Sequence, residues 1–251
     1  ILKISRTFDL SLAGLNIILS FILLSSIFLI AFQFYNPILT IVISIPYILV
    51  VFGMGYINQS TAFAFITLGI YFFIKKNQLK SLFFFIIAIG FHYSAFIFLP
   101  LFVIYNFLKF DKINNNIKIK IILLIVIIFS LFFTYLFLRF FSYLNYDIFG
   151  IYKYYLNPNI YTSPGAYIRL SINGIVYVLF FIFFKNLNLN IEEKVIYLYL
   201  FSIFIFCSFL LYFGGSTAAD RLNLYILVIQ IFILPRIIEL KLLNNFKILL
   251  S

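Results

Sequence analysis

The chain has 251 residues, 65% of them apolar and 10% charged, and its 18 Lys+Arg against 7 Asp+Glu give a net charge of +11. Soluble domains run at roughly 45–50% apolar and about 25% charged, so a soluble globule, a disordered chain and a fibre are all excluded. A spanning helix takes roughly 20 mostly apolar residues, and this composition suffices for about eight.

The sequence begins at Ile1 rather than Met and has no signal-peptide layout, as expected of an N-terminally truncated chain. Eight hydrophobic segments follow, at 10–34, 38–53, 60–74, 81–108, 119–141, 166–184, 195–213 and 221–240. In lipid the backbone must satisfy its own polar groups, as a helix or a closed barrel. The segments lack period-two alternation and are too long for barrel strands, so they are predicted to be helices. The expected fold is all-α: a polytopic transmembrane bundle of about seven to eight spans, one transmembrane domain over 1–251.

The connections differ in character. Asn36-Pro37 is a tight break. Residues 53–59 are polar, uncharged and carry Gly53 and Gly55. Lys75, Lys76 and Lys80 form one basic turn; Lys109, Lys112, Lys118 and Lys120 mark another. Residues 142–165, rich in Tyr, Asn and Pro, are the longest hydrophilic stretch and are expected to form an outer-face loop. Residues 185–194 carry Lys185, Glu192, Glu193 and Lys194, and the two glutamates read as a solvated turn or helix cap. Residues 214–220 lead into Arg221. Cations placed between hydrophobic runs follow the positive-inside pattern rather than a nucleic-acid-binding one. The single Cys207 lies in an apolar run, excludes intrachain disulfides and reads as packing.

Segment 81–108 has two readings. Either it is one tilted span, or it is broken or re-entrant around Phe91-His92. The broken form puts both Lys-rich turns on the cytoplasmic side and 53–59, 142–169 and 214–221 together outside. It also leaves Lys3 and Arg6 outside.

Ionisable side chains within a membrane are costly, by about 2.5–3.5 kcal/mol at the midplane on insertion scales. His92 is the only histidine. It is either a neutral ring bonded to a neighbouring helix or a proton acceptor. Asp220 and Arg221 read either as a helix cap with an interface anchor or as a phosphate grip, in which the planar guanidinium binds and Asp220 orients it or serves as base. Tyr225 lies one turn beyond Arg221 on the same side, and Gln230 lies further along. Tyr56, Asn58 and Gln59 precede an apolar helix that Asn58 or Ser60 would cap. Arg169 and Arg139 read as boundary residues that snorkel. There is no Walker-type loop and no Gly-x-Ser-x-Gly elbow. One His and one Cys cannot make a usual zinc site, and no Asp-x-Asp pair is present. No metal and no cofactor are expected.

Three stretches together resemble the EpsG family of Wzy-like polysaccharide polymerases. The first is Ile45-Pro46-Tyr47 through Gly53-Met54-Gly55-Tyr56-Ile57-Asn58-Gln59. The second is Ile89-Gly90-Phe91-His92-Tyr93-Ser94-Ala95, with Leu99-Pro100 after it. The third is Ser216-Thr217-Ala218-Ala219-Asp220-Arg221-Leu222 through Tyr225 and Gln230. Their order and spacing fit the family from about residue 40 onward. One departure is Asn58, where the family typically has Arg; Arg169 and Arg221 are the replacement candidates.

The resemblance implies a membrane glycosyltransferase that polymerises undecaprenyl-pyrophosphate-linked oligosaccharide repeat units into O-antigen, capsule or exopolysaccharide. It places the chain in the bacterial cytoplasmic (inner) membrane, with membrane lipid, a chain-length regulator and a flippase as partners and no nucleic acid. It implies His92, Asp220 and Arg221 as catalytic residues, and Tyr56, Asn58, Gln59, Ser94, Arg169 and Tyr225 as substrate-binding ones. Two alternatives stand beside it. One is a membrane O-acyltransferase, told apart by acylated rather than lengthened glycan. The other is a flippase or transporter for lipid-linked sugar, which would favour internal symmetry and broken helices.

Overall fold

The structure, a computed structural model, describes residues 11–33, 36–110, 162–213 and 215–249. Every regular element among them is a helix, as expected from the sequence. Two compact units emerge from the packing. The first comprises Ile1–Pro100, Ile182–Asn188 and Leu227–Ser251; the second comprises Leu101–Phe181 and Leu189–Ile226.

In the first unit, α1 (Leu12–Ala31) starts at Ser11, whose side chain accepts from the Gly14 N–H at 3.1 Å. It buries Leu23, Ile27 and Ile30 and exposes Ile17, Phe21 and Phe28. Apolar residues all round a helix are expected where its outer face meets lipid. α2 (Pro37–Ser44) is capped by Asn36 and starts on proline, whose missing N–H costs nothing at that position. It runs into a π-helical segment, Ile45–Gly53, with Pro46 near its start. α3 (Ile57–Ile74) and α4 (Gln78–Phe91) form an antiparallel hairpin. Its turn uses Lys76 in a left-handed conformation (φ 62°), with Lys76 and Asn77 N–H groups bonding Phe73 and Phe72 carbonyls. The register is set by stacked rings, Phe72 on Phe84 at 5.3 Å and Phe65 on Phe91 at 5.4 Å. Gly69 allows the closest approach: a Cβ there would lie 2.5 Å from Phe85 Cε1, and the Ser81 hydroxyl donates to the Gly69 carbonyl at 2.8 Å. α9 (Val228–Leu249) packs against α1 and α2, and Glu239 accepts from the Asn36 N–H at 3.0 Å.

In the second unit, α6 (Gly165–Phe183), α7 (Ile191–Tyr212) and α8 (Ser216–Ile226) pack together. Rings fill the α6–α7 seam: Tyr177 meets Phe201 and Phe204, and Phe180 meets Tyr197. α7 opens with a capping box: the Asn190 side chain accepts from the Glu193 N–H, and Glu193 accepts from the Asn190 N–H. Glu192 and Glu193 are buried, and Glu192 accepts from the Tyr105 hydroxyl at 2.9 Å. The cap is as predicted; the solvated turn is not, because these carboxylates are used inside the fold.

Segment 81–108 is not one straight helix. α4 ends at Phe91, His92 is extended (φ −152°, ψ 117°), a 3₁₀-helix covers Tyr93–Phe98, and α5 (Pro100–Phe110) begins on proline. Among the described residues four helices, Ala13–Ala31, Ile57–Ile74, Gly165–Phe183 and Ile191–Tyr212, are long and apolar enough to cross a membrane. The number rises to five if Ser216–Ile226 with Val228–Leu240 makes one broken span. The expected eight therefore contract here: 38–53 and 81–108 are shorter apolar helices, and 119–141 lies outside the described residues, as do Arg139 and most of the 142–165 loop.

Candidate active site

The expected site residues fall into two groups. The first and second motifs lie in the first unit. Tyr56 precedes α3 and ends the helical run from α2: its N–H bonds the Phe52 carbonyl, and its ring lies 6.2 Å from that of Phe52. No side chain caps α3. The expected cap, Ser60, instead donates back to the Ile57 carbonyl at 3.0 Å, and Asn58 is exposed on the first turn. Gln59 is buried. The N-terminal part of α3 passes beyond the end of α4 and packs on the 3₁₀-helix, so this motif meets the segment that follows His92.

His92 holds the break together. Its N–H bonds the Ala88 carbonyl at 2.9 Å, closing α4, and its carbonyl accepts from the Ala95 N–H at 3.0 Å, opening the 3₁₀-helix. The half-buried ring stacks on Tyr93 (5.1 Å, 13°), and Nδ1 lies 2.6 Å from the Ser94 hydroxyl. In the tautomer whose Nδ1–H donates to Ser94, Nε2 is the basic nitrogen. Ser94 thus touches the histidine directly.

The third motif and Arg169 lie in the second unit, where they form a polar ladder. The Ser163 N–H donates to the Ser216 hydroxyl at 3.1 Å, and the Ser163 hydroxyl donates to Asp220 Oδ2 at 2.8 Å. The Arg169 guanidinium donates to Asp220 Oδ1. Asn173 Nδ2 donates to the Asn223 side-chain carbonyl at 2.8 Å and to its backbone carbonyl at 3.2 Å. Numbers rise together on both sides of the ladder, so α6 and α8 run parallel and their N-termini lie at one end. Arg169 folds back over its own first turn: a Cβ at Gly165 would sit 3.3 Å from Nη2. Glycine leaves that guanidinium room.

This corrects two sequence readings. Asp220 is no helix cap, because α8 begins at Ser216 and the carboxylate is turned to α6. Arg169 is no snorkelling boundary residue, because only 7% of its surface is exposed. Arg221 is half-buried beside the pair, whereas Tyr225, expected on its side, is fully buried. Sequence reading missed Ser163, Asn173, Ser216 and Asn223 as partners. Their signal was spacing: Gly165, Arg169 and Asn173 recur every four residues in an apolar helix, and Ser216, Asp220 and Asn223 share one helix face. Among the described residues no group of three His, Cys, Asp or Glu side chains is placed to hold a metal ion.

Apolar helices of spanning length, a buried ion pair between two of the helices and a histidine at a helix break define a multi-pass membrane protein with polar groups built into its interior. The chain belongs to the EpsG family, which it matches over residues 1–251, its whole length. That family is one of membrane polysaccharide polymerases. No curated protein and no solved structure matches the chain.

Proposed function

We propose that this protein is a membrane glycosyltransferase that polymerises undecaprenyl-pyrophosphate-linked oligosaccharide repeat units in the bacterial cytoplasmic membrane. The whole-chain family match carries this reading. The acceptor hydroxyl attacks the anomeric carbon of the donor sugar, the bond from that carbon to the pyrophosphate oxygen breaks, and the lipid pyrophosphate leaves. His92 takes the hydroxyl proton. Arg221 stabilises the charge on the leaving pyrophosphate with its fork of donors. Tyr56, Asn58, Gln59 and Tyr225 belong to the substrate-binding set, and Ser94 acts through His92.

Two features support a polar reaction in a lipid setting. Charged groups within spanning helices are functional candidates by default. The parallel course of α6 and α8 also brings two positive helix ends to one side of the second unit, which favours an anion there. The test uses purified full-length protein in liposomes with lipid-linked repeat units. A ladder of lengthened glycans is expected. Acylated glycan of unchanged length, or movement of the lipid-linked sugar with no new glycosidic bond, would replace this reading with one of the two alternatives.

A further inference from the structure

We infer that Arg169 and Asp220 are positioning residues: their ion pair holds α8 beside α6 and so places Arg221, and neither residue touches the substrate. For its activity readout this rests on the polymerase reading.

Both oxygens of Asp220 are engaged inside the second unit, Oδ1 by the Arg169 guanidinium and Oδ2 by the Ser163 hydroxyl. Asp220 is 3% exposed and Arg169 7%. The pair is flanked on one side by the Ser163–Ser216 bond and on the other by the Asn173–Asn223 bond. These rungs lie in order along one helix pair, the arrangement of a brace. Arg221 follows Asp220 directly and is less buried. A rotation of α8 by one residue, about 100°, would carry Arg221 to another side. The pair therefore fixes where the guanidinium of Arg221 is presented. Its net charge is zero, which suits a brace that must exist whether or not an anion is bound.

The test reads helix approach and chemistry separately, in full-length protein in lipid nanodiscs carrying Cys207→Ser, Ser163→Cys and Ser216→Cys. Copper-phenanthroline cross-linking of the two introduced thiols reports α6–α8 approach. Polymer formation from lipid-linked units reports chemistry. Relative to this parent, Arg169→Leu and Asp220→Leu are each expected to slow cross-linking at least about tenfold and to lower polymerisation to a similar degree. The exchanged pair, Arg169→Asp with Asp220→Arg, is expected to bring both back to within about threefold. Recovery of cross-linking without polymer would overturn the inference, since it would show that one side chain meets the substrate. Single variants that cross-link at the parent rate would overturn it as well.

Should the exchanged pair not accumulate, Asp220→Asn decides. It keeps an oxygen for Arg169 but loses the basic carboxylate. Retained cross-linking with a raised KM for the lipid donor and a kcat lowered less than about tenfold supports positioning. Retained cross-linking with a kcat lowered more than a thousandfold makes Asp220 the base. A parent that cross-links but forms no polymer refutes the polymerase reading alone, and the cross-linking arm still tests the brace.

Discussion

His92 and Asp220 are built in opposite ways. His92 bonds three close neighbours in the chain: Ala88 four residues before it, Ser94 two after and Ala95 three after. It sits half-buried at a chain break. Asp220 takes its partners from 51 and 57 residues away, and is 3% exposed. A group held by local backbone geometry can lose its side chain without unfolding its surroundings. A buried charge paired with a distant one cannot, because its loss costs the other charge a buried partner. The first arrangement suits a residue that does chemistry, the second a residue that shapes a site.

The sharpest test of this contrast is Asp220→Leu against His92→Ala. Removing Asp220 takes from buried Arg169 the carboxylate it donates to, and breaking a buried pair in this way costs about 3–5 kcal/mol. Membrane-inserted protein should fall several-fold, and the remainder should unfold at lower temperature in detergent. Normal abundance and an unshifted transition would mean that the pair contributes no stability. His92→Ala should do the reverse. Turnover is expected to drop by about 10²–10⁴, the range for loss of general acid–base catalysis, with abundance near wild type. Parallel loss of abundance and activity would make His92 structural. Ser94→Ala should lower kcat more than KM, and Ser94→Thr, which restores a hydroxyl, should recover most of it.

Legibility in the sequence follows the same division. The break at His92 was open to inspection because Gly90, His92 and Leu99-Pro100 are near neighbours, and the broken reading of 81–108 is the one realised. Helix type was legible from the long apolar runs. The Arg169–Asp220 pair was not, because no single-sequence rule joins residues 51 apart; only the four-residue spacing of Arg169 and Asn173 hinted at a polar face on α6. Glu192 and Glu193 were misread for a related reason. Two adjacent acids look solvated until Tyr105 and Asn190 are seen to be their partners.

A smaller effect asks whether the break at His92 is coupled to the hairpin before it. Gly69→Ala would place a Cβ 2.5 Å from Phe85 Cε1, so the ring must move. Overpacking of this kind costs about 1–3 kcal/mol. Phe85 also lies 5.4 Å from Phe98, at the end of the 3₁₀-helix that His92 opens. A displaced Phe85 ring therefore pushes on the segment carrying Ser94. Gly69→Ala should lower the unfolding temperature and reduce turnover together, and Phe85→Leu in the same chain should recover part of both. Full turnover in a destabilised Gly69→Ala protein would show that the break is insulated from the hairpin.

The mildest change addresses the same hairpin. Ser81→Ala removes the hydroxyl that donates to the Gly69 carbonyl at 2.8 Å. That carbonyl lies inside α3, where a backbone N–H one turn on also uses it, so no acceptor is left unsatisfied. The loss should be near the average for interhelical hydrogen bonds in membranes, about 0.6 kcal/mol. The informative quantity is its coupling to Gly69→Ala. Once a methyl at 69 has pushed α4 away, the bond should already be weakened, and the double variant should lose less than the sum of the two singles. Strict additivity would mean that α3 and α4 do not separate when Gly69 is filled, and that Phe85 alone absorbs the methyl by turning its ring.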